Sequence, residues 1–156
     1  MQRILKLLGL LTILAAPAQA LEPRDGWVIF ETGKSYADLV QAVRAAVSAA
    51  PIAIVTQASA SDGARMQGHT IPGNRVFGLY RNDYARRMLD ASITAGIEAP
   101  IRLYVTEEAD GTATLSYKTP SHVFAPYADE GGAALRELAA ELDSVFDGVA
   151  RAAVAE

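Results

Sequence analysis

Short runs of alternating apolar and polar residues recur along the chain. The segments between them carry apolar residues at every third or fourth position. The first pattern predicts half-buried strands, and the second predicts amphipathic helices. Strands are predicted at residues 26–31, 52–59, 76–81, 100–107 and 112–118. One helix is predicted after the first strand, another after the third, and a long one at the end of the chain.

The first and last helices have the clearest apolar stripes. The first stripe consists of Tyr36, Leu39, Val40, Val43 and Val47. The last consists of Leu135, Leu138, Leu142, Val145, Phe146 and Val149. Ser35, followed by Asp38 three residues later, predicts a capping box at the start of the first helix. Both helices are therefore expected to pack one side against a sheet.

The middle helix is predicted from Asp83 to Ala95, with Asn82 as N-cap and Gly96 as its C-terminal stop. Its buried side is predicted to hold Met88, Leu89 and Ile93, with Tyr84 or Ala85. Residues 61–74 are predicted to form a connector with one helical turn near residues 63–68, and residues 121–132 a loop.

Two consecutive strands joined by a short turn define the fold class. Ala109-Asp110-Gly111 joins the last two strands into a hairpin, whereas helices separate the other strands. This order predicts an α+β fold rather than a doubly wound parallel sheet. The expected architecture is a two-layer sandwich, with helices on one face of a mixed, largely antiparallel five-stranded sheet. The other sheet face is left open.

The hairpin register sorts the side chains of its two strands. If Glu108 pairs with Thr112, apolar pairs share one face, namely Val105 with Leu115 and Leu103 with Tyr117. The other face then carries the pairs Thr106 with Thr114, Tyr104 with Ser116, and Arg102 with Lys118. Opposed cations destabilise a strand pair by about 0.2–1 kcal/mol. Two interpretations fit this pair. Either both side chains extend to water or to a carboxylate such as Glu98, which is the favoured interpretation, or an anionic ligand lies between them.

Motifs from the third strand onwards resemble the DUF302 family. They are Arg81-Asn82-Asp83, then Glu98 to Arg102, then Gly111 and a strand ending Tyr117-Lys118-Thr119-Pro120. The matching positions are Asn82, Pro100, Arg102, Gly111, Tyr117 and Pro120, whereas Arg81 and Asp83 replace the usual Gly and Pro. The resemblance implies a compact α/β domain with a mixed sheet, often a dimer, and it implies no activity.

The first twenty residues have the form of a secretory signal peptide. Arg3 and Lys6 precede the apolar residues 7–16, and Ala18-Gln19-Ala20 has the small-x-small pattern of a cleavage site. The apolar run is too short to span about 30 Å of hydrocarbon. We therefore expect a mature protein that begins at Leu21, forms a single domain over residues 21–156, and lies in a bacterial periplasm without a membrane anchor.

Composition excludes several kinds of chemistry. The chain has no cysteine, which removes disulfides, thiolate nucleophiles and cysteine-ligated metals. The formal net charge is −4, and removal of the two basic residues of the signal peptide makes it −6. An acidic chain lacks the basic footprint of a nucleic-acid-binding protein.

Enzyme and metal signatures are weak. No nucleophile elbow, phosphate loop, dinucleotide fingerprint or His-Glu-x-x-His motif is present. Met66 and His69 could bind copper, with His122 as a third ligand if the fold brings it close. Because their spacing matches no known metal motif, structural roles are the better interpretation, and no cofactor is expected.

The sequence thus predicts an exported, non-enzymatic binding or interaction domain. Its expected surface is the open sheet face around Arg102, Tyr104, Ser116 and Lys118, edged by Arg81 and Asn82. The alternative is a small periplasmic enzyme acting on an anionic substrate, with Arg102 and Lys118 as electrostatic stabilisers. Because an uncovered sheet face would expose Tyr104 and its neighbours, a homodimer is also predicted.

Overall fold

The computed structural model describes residues 21–155, and the predicted signal peptide lies outside the described residues. The strands are β1 (Trp27–Ser35), β2 (Ala53–Ala58), β3 (Asn74–Tyr80), β4 (Ile101–Glu107) and β5 (Thr112–Lys118). The α-helices are α1 (Tyr36–Ser48), α2 (Ala60–Met66), α3 (Asn82–Ala91), α4 (Pro120–Phe124) and α5 (Ala128–Val154). Short 3-10 helices occupy Thr94–Glu98 and Ala125–Tyr127.

The strands form one sheet in the order β1-β5-β4-β3-β2. Every neighbouring pair of described strands is antiparallel, so this sheet is antiparallel throughout rather than only largely so. Helix α1 packs on the sheet, and α5 packs against α1, α3 and α4. The predicted α+β sandwich is confirmed.

The core lies between the sheet and its helices. Alternate residues of β4 and β5 face this layer, and Leu103, Val105 and Leu115 are fully buried there. The rings of Tyr117 and Phe146 meet at a tilted angle of 48°, with their centroids 5.7 Å apart. The predicted stripes of the first and last helices supply the other side of this core. Ser35 caps α1 as predicted, accepting from the backbone N–H of Asp38 at 3.2 Å.

The prediction for the middle helix is wrong at both ends. Arg81, not Asn82, is the N-cap of α3, and it makes no side-chain capping bond. The helix ends at Ala91 because Ser92 turns to extended geometry and its Oγ accepts from the backbone N–H of Ala95 at 3.2 Å. Gly96 therefore lies inside the following 3-10 helix.

This early end changes which apolar residues are buried. Met88 is buried as expected, together with both Tyr84 and Ala85. In contrast, Leu89 is 44% exposed and Ile93 is 78% exposed. Since Ile93 follows the end of the helix, it no longer continues the stripe that the sequence suggests.

Two predicted irregular segments contain helices. The predicted loop at residues 121–132 instead holds α4, a 3-10 helix and the start of α5. Thr119 Oγ1 accepts from the backbone N–H of His122 at 3.2 Å, and Pro120 fits the first turn of a helix because no intrahelical donor is needed there. The start of the predicted connector holds most of α2, which Ser59 caps from the preceding residue and which is longer than the single turn predicted.

Candidate functional site

The open face of the sheet presents side chains in rows set by the strand register. One row places Trp27 beside Lys118 and Gly78 beside Arg102. The hairpin pairs Leu103 with Tyr117, so the same register sets Arg102 opposite Lys118, as predicted. In the next row Ser116 lies between Ile29 and Tyr104, and Val76 follows Tyr104.

A pocket of about 310 Å³ opens where these two rows meet the ends of β4 and β5. Four of the six predicted site residues line it, namely Arg102, Tyr104, Ser116 and Lys118. The other lining residues are Trp27, Val76, Glu98, Ile101, Tyr117 and Val123. We refer to these ten residues as the open-face pocket. The fold therefore gathers most of the predicted site in one concave surface.

Ser116 gives the pocket a polar group without a partner. Its side chain is fully buried between larger neighbours, and its hydroxyl makes no hydrogen bond within the described chain. A buried hydroxyl without a partner costs about 1–3 kcal/mol, and most such groups in folded proteins are satisfied. This buried, unsatisfied hydroxyl belongs to one of the residues that line the pocket.

The two cations of the pocket have no carboxylate partner. Both side chains are exposed, and within residues 21–155 neither Arg102 nor Lys118 lies within 4.0 Å of a carboxylate. Lys118 Nζ lies 5.7 Å from the centroid of the Trp27 ring, in cation–π geometry. Arg24 Cζ lies 5.4 Å from the same centroid, so two cationic side chains contact the Trp27 ring.

Glu98 brings the only carboxylate among the residues that line the open-face pocket. It accepts a hydrogen bond from the Tyr127 hydroxyl at 2.8 Å, and this bond raises the pKa of Tyr127. Burial raises the pKa of Tyr117 to about 12, so its hydroxyl stays neutral at physiological pH. The formal charges lining the pocket are therefore two positive and one negative.

Both the sequence and the fold are similar to known proteins of one family. The sequence matches the family described as "Domain of unknown function DUF302" over residues 28–152. The chain belongs to the DUF302 family. The fold is similar to the crystal structure of an uncharacterized conserved DUF302 protein from Bacillus stearothermophilus, with a TM-score of 0.68 and 16% sequence identity. That similarity covers 83% of this chain and 96% of the other. No curated protein matches the chain.

The structure separates Arg81 and Asn82 from the rest of the predicted site in this DUF302 domain. Neither residue lines the open-face pocket. Arg81 pairs with Asp83 at 2.7 Å and donates to the backbone carbonyl of Pro51 at 3.1 Å. It lies instead beside an apolar cavity of about 30 Å³. Both residues belong to the corner where β3 turns into α3, and that turn directs them away from the pocket.

The copper alternative gains no support from the structure. Met66 is 85% exposed at the end of α2, and His69 follows in the exposed connector. The ring of His122 packs against Gly26, whose positive φ of 72° and close approach leave no room for a Cβ. Within residues 21–155, no group of three or more His, Cys, Asp or Glu side chains is arranged to hold a metal ion.

The surface of the domain also bears on assembly. Two of the most exposed large apolar side chains, Ile93 and Ile97, lie at the corner after α3 and not on the sheet. Tyr104 is only partly exposed. The homodimer stays a prediction. None of the described helices is long and apolar enough to cross a membrane.

The opposite end of the sheet carries polar side chains that satisfy one another. Arg75 forms an ion pair with Asp62 and donates a hydrogen bond to its carboxylate, and that bond lowers the pKa of Asp62. Glu107 accepts from the backbone N–H of Gly73 at 2.5 Å, and Ser61 accepts from that of Asn74 at 3.2 Å. Charged groups there already have partners within the fold.

Proposed function

We propose that this DUF302 domain is an exported, non-enzymatic binding domain whose open-face pocket accepts a small anionic ligand. The observation that carries the proposal is the pair Arg102 and Lys118, opposed across the hairpin without a carboxylate partner beside a buried, unpaired Ser116 hydroxyl. A carboxylate or phosphate oxygen between the two cations would relieve their repulsion. It would also accept a hydrogen bond from the serine.

Binding is favoured over catalysis by the groups in the pocket. Histidine is absent from its lining, and the carboxylate of Glu98 is already bonded to Tyr127. Histidine and an unbonded carboxylate, two common general bases, are thus absent from the residues that line the pocket. The alternative, a small enzyme that uses Arg102 and Lys118 to stabilise an anionic substrate, requires turnover of that substrate, which an assay would detect.

Thermal melts test the proposal. A ligand that binds only the native state raises its stability according to ligand concentration over Kd. We expect at least one of phosphate, acetate and hexanoate to raise the melting temperature of the native protein, and Lys118→Gln to abolish that shift. Arg86→Gln is the matched control, since Arg86 is an exposed cation on α3 outside the pocket.

Ionic strength must be equal in all samples, because salt alone screens the repulsion between the two cations. Without a ligand, Lys118→Gln should keep or slightly raise the melting temperature, since it removes a like-charge pair. The same anion response in the native protein and in Lys118→Gln would refute an anion site at this pair.

The export part of the proposal rests on the signal-peptide pattern of residues 1–20. Intact mass measurement of the protein purified from cells should give a chain that begins at Leu21. A periplasmic protein that retains Met1 would contradict cleavage at Ala20.

A further inference from the structure

Charge balance in the open-face pocket limits the charge of its ligand. Among the ten lining residues, Arg102 and Lys118 contribute two positive charges and Glu98 one negative charge, a net formal charge of +1. Arg24 lies outside this lining, on the same Trp27 ring as Lys118. Lys118 lies over the Trp27 ring, which keeps its ammonium group at the pocket wall. A single negative charge balances this lining. A doubly charged phosphate would place excess negative charge beside Glu98, which like charges disfavour.

The residues that line the open-face pocket also limit the size and polarity of the uncharged part of the ligand. Apolar and aromatic residues contribute much of the lining, and Trp27, Tyr104 and Val76 lie on the two rows of the open face. The volume of about 310 Å³ is at the small end of the range for ligand sites. Burial of apolar atoms against such a wall supplies affinity that an inorganic anion cannot obtain.

From this combination we infer that the pocket is specific for a small monocarboxylate with an apolar body. The carboxylate lies between Arg102 and Lys118, and the apolar body lies against Trp27, Tyr104 and Val76. This inference rests on the proposed anion-binding function and deepens it, because it names the class of ligand. One carboxylate oxygen can accept from Ser116, whose hydroxyl otherwise has no partner.

Calorimetric titration of the mature protein with acetate, butanoate and hexanoate tests the inference. Each methylene that becomes fully buried should raise the affinity about fourfold, as expected from the transfer free energy of a CH₂ group. Hexan-1-ol and phosphate at equal ionic strength are the reference ligands. Both should bind more weakly than hexanoate, the first because it lacks the charge and the second because it lacks the apolar body.

Two variants locate the apolar contact. Val76→Thr keeps a β-branched shape on β3 but adds a hydroxyl to the pocket wall, so the increase in affinity with chain length should become smaller. Val55→Thr is the matched control, because Val55 is 51% exposed on the edge strand and does not line the pocket. Val55→Thr should leave the affinities for acetate, butanoate and hexanoate unchanged.

The outcomes separate this inference from the function on which it rests. Equal affinities for acetate, phosphate and hexanoate that are lost in Lys118→Gln would keep the anion site and overturn the apolar specificity. Binding of hexan-1-ol as tight as that of hexanoate would overturn the role of the carboxylate. Absence of binding by every anion would overturn both the inference and the proposed function.

Discussion

The two faces of the sheet bury their residues for different reasons, as two neighbours on β5 show. Leu115 and Ser116 are both fully buried, but Leu115 faces the helices and Ser116 faces the open-face pocket. The leucine is surrounded by apolar side chains, whereas the serine hydroxyl has no hydrogen-bond partner. Equal burial therefore stabilises the fold on one face and leaves an unpaired polar group on the other.

Truncating a buried side chain on the helix-covered face of the sheet should lower the free energy of unfolding more than substitution of Asp62 or Ser116. Leu115→Ala removes apolar atoms from a packed core and leaves a cavity, so the free energy of unfolding should fall by about 2–5 kcal/mol. Urea denaturation of the mature protein measures this change. A loss below about 1 kcal/mol would mean that β5 does not form the centre of the core.

The cations at the two ends of the sheet offer a second comparison. Arg75 is paired and lowers the pKa of Asp62, whereas Lys118 has no carboxylate partner in the described chain. A carboxyl with a lowered folded pKa stabilises the fold above its unfolded pKa of about 3.9, and this contribution disappears as the pH falls through the folded value. Asp62→Asn should therefore lower the free energy of unfolding at pH 7, and the difference from the native protein should shrink below about pH 4.

Urea denaturation at a series of pH values checks this profile. Lys118→Gln is the control, because it leaves every carboxyl of the protein in place, and the dependence of its stability on acid pH should match that of the native protein. A constant difference between Asp62→Asn and the native protein from pH 7 to pH 2 would contradict a role for the Asp62 charge.

The smallest effect on stability is expected at Ser116. Ser116→Ala removes a buried hydroxyl that has no partner, so the free energy of unfolding should stay the same or rise by up to about 1 kcal/mol. The same variant should weaken hexanoate binding, because the ligand loses one donor. A loss of stability near that of Leu115→Ala would show that the hydroxyl already has a partner in the fold.

Local patterns predict the hairpin and the helix stripes well. The register of β4 and β5 follows from strict alternation and a short turn, which is why Arg102, Tyr104, Ser116 and Lys118 could be placed together from sequence alone. Such contacts depend on residues that are close along the chain, where a one-residue slip would expose the apolar face.

Contacts between distant segments could not be predicted in this way. Trp27 belongs to the pocket because β1 pairs with β5, and no local pattern specifies that pairing. The apolar pattern also does not show where α3 ends, because the hydrogen bond from the Ala95 N–H to Ser92 Oγ competes with helix continuation and leaves Ile93 exposed. Arg81 is predicted to edge the site, but in the structure it pairs with Asp83 and does not line the pocket.

Fluorescence of Trp27 tests the central claim most directly, because it is the single tryptophan of the chain and lines the open-face pocket. Hexanoate is transparent at the excitation wavelength and can be titrated at constant ionic strength. A saturable change in Trp27 emission is predicted for the native protein and for Arg86→Gln, and its loss is predicted for Lys118→Gln. Unchanged emission while hexanoate raises the melting temperature would place the anion elsewhere on the domain and contradict the account.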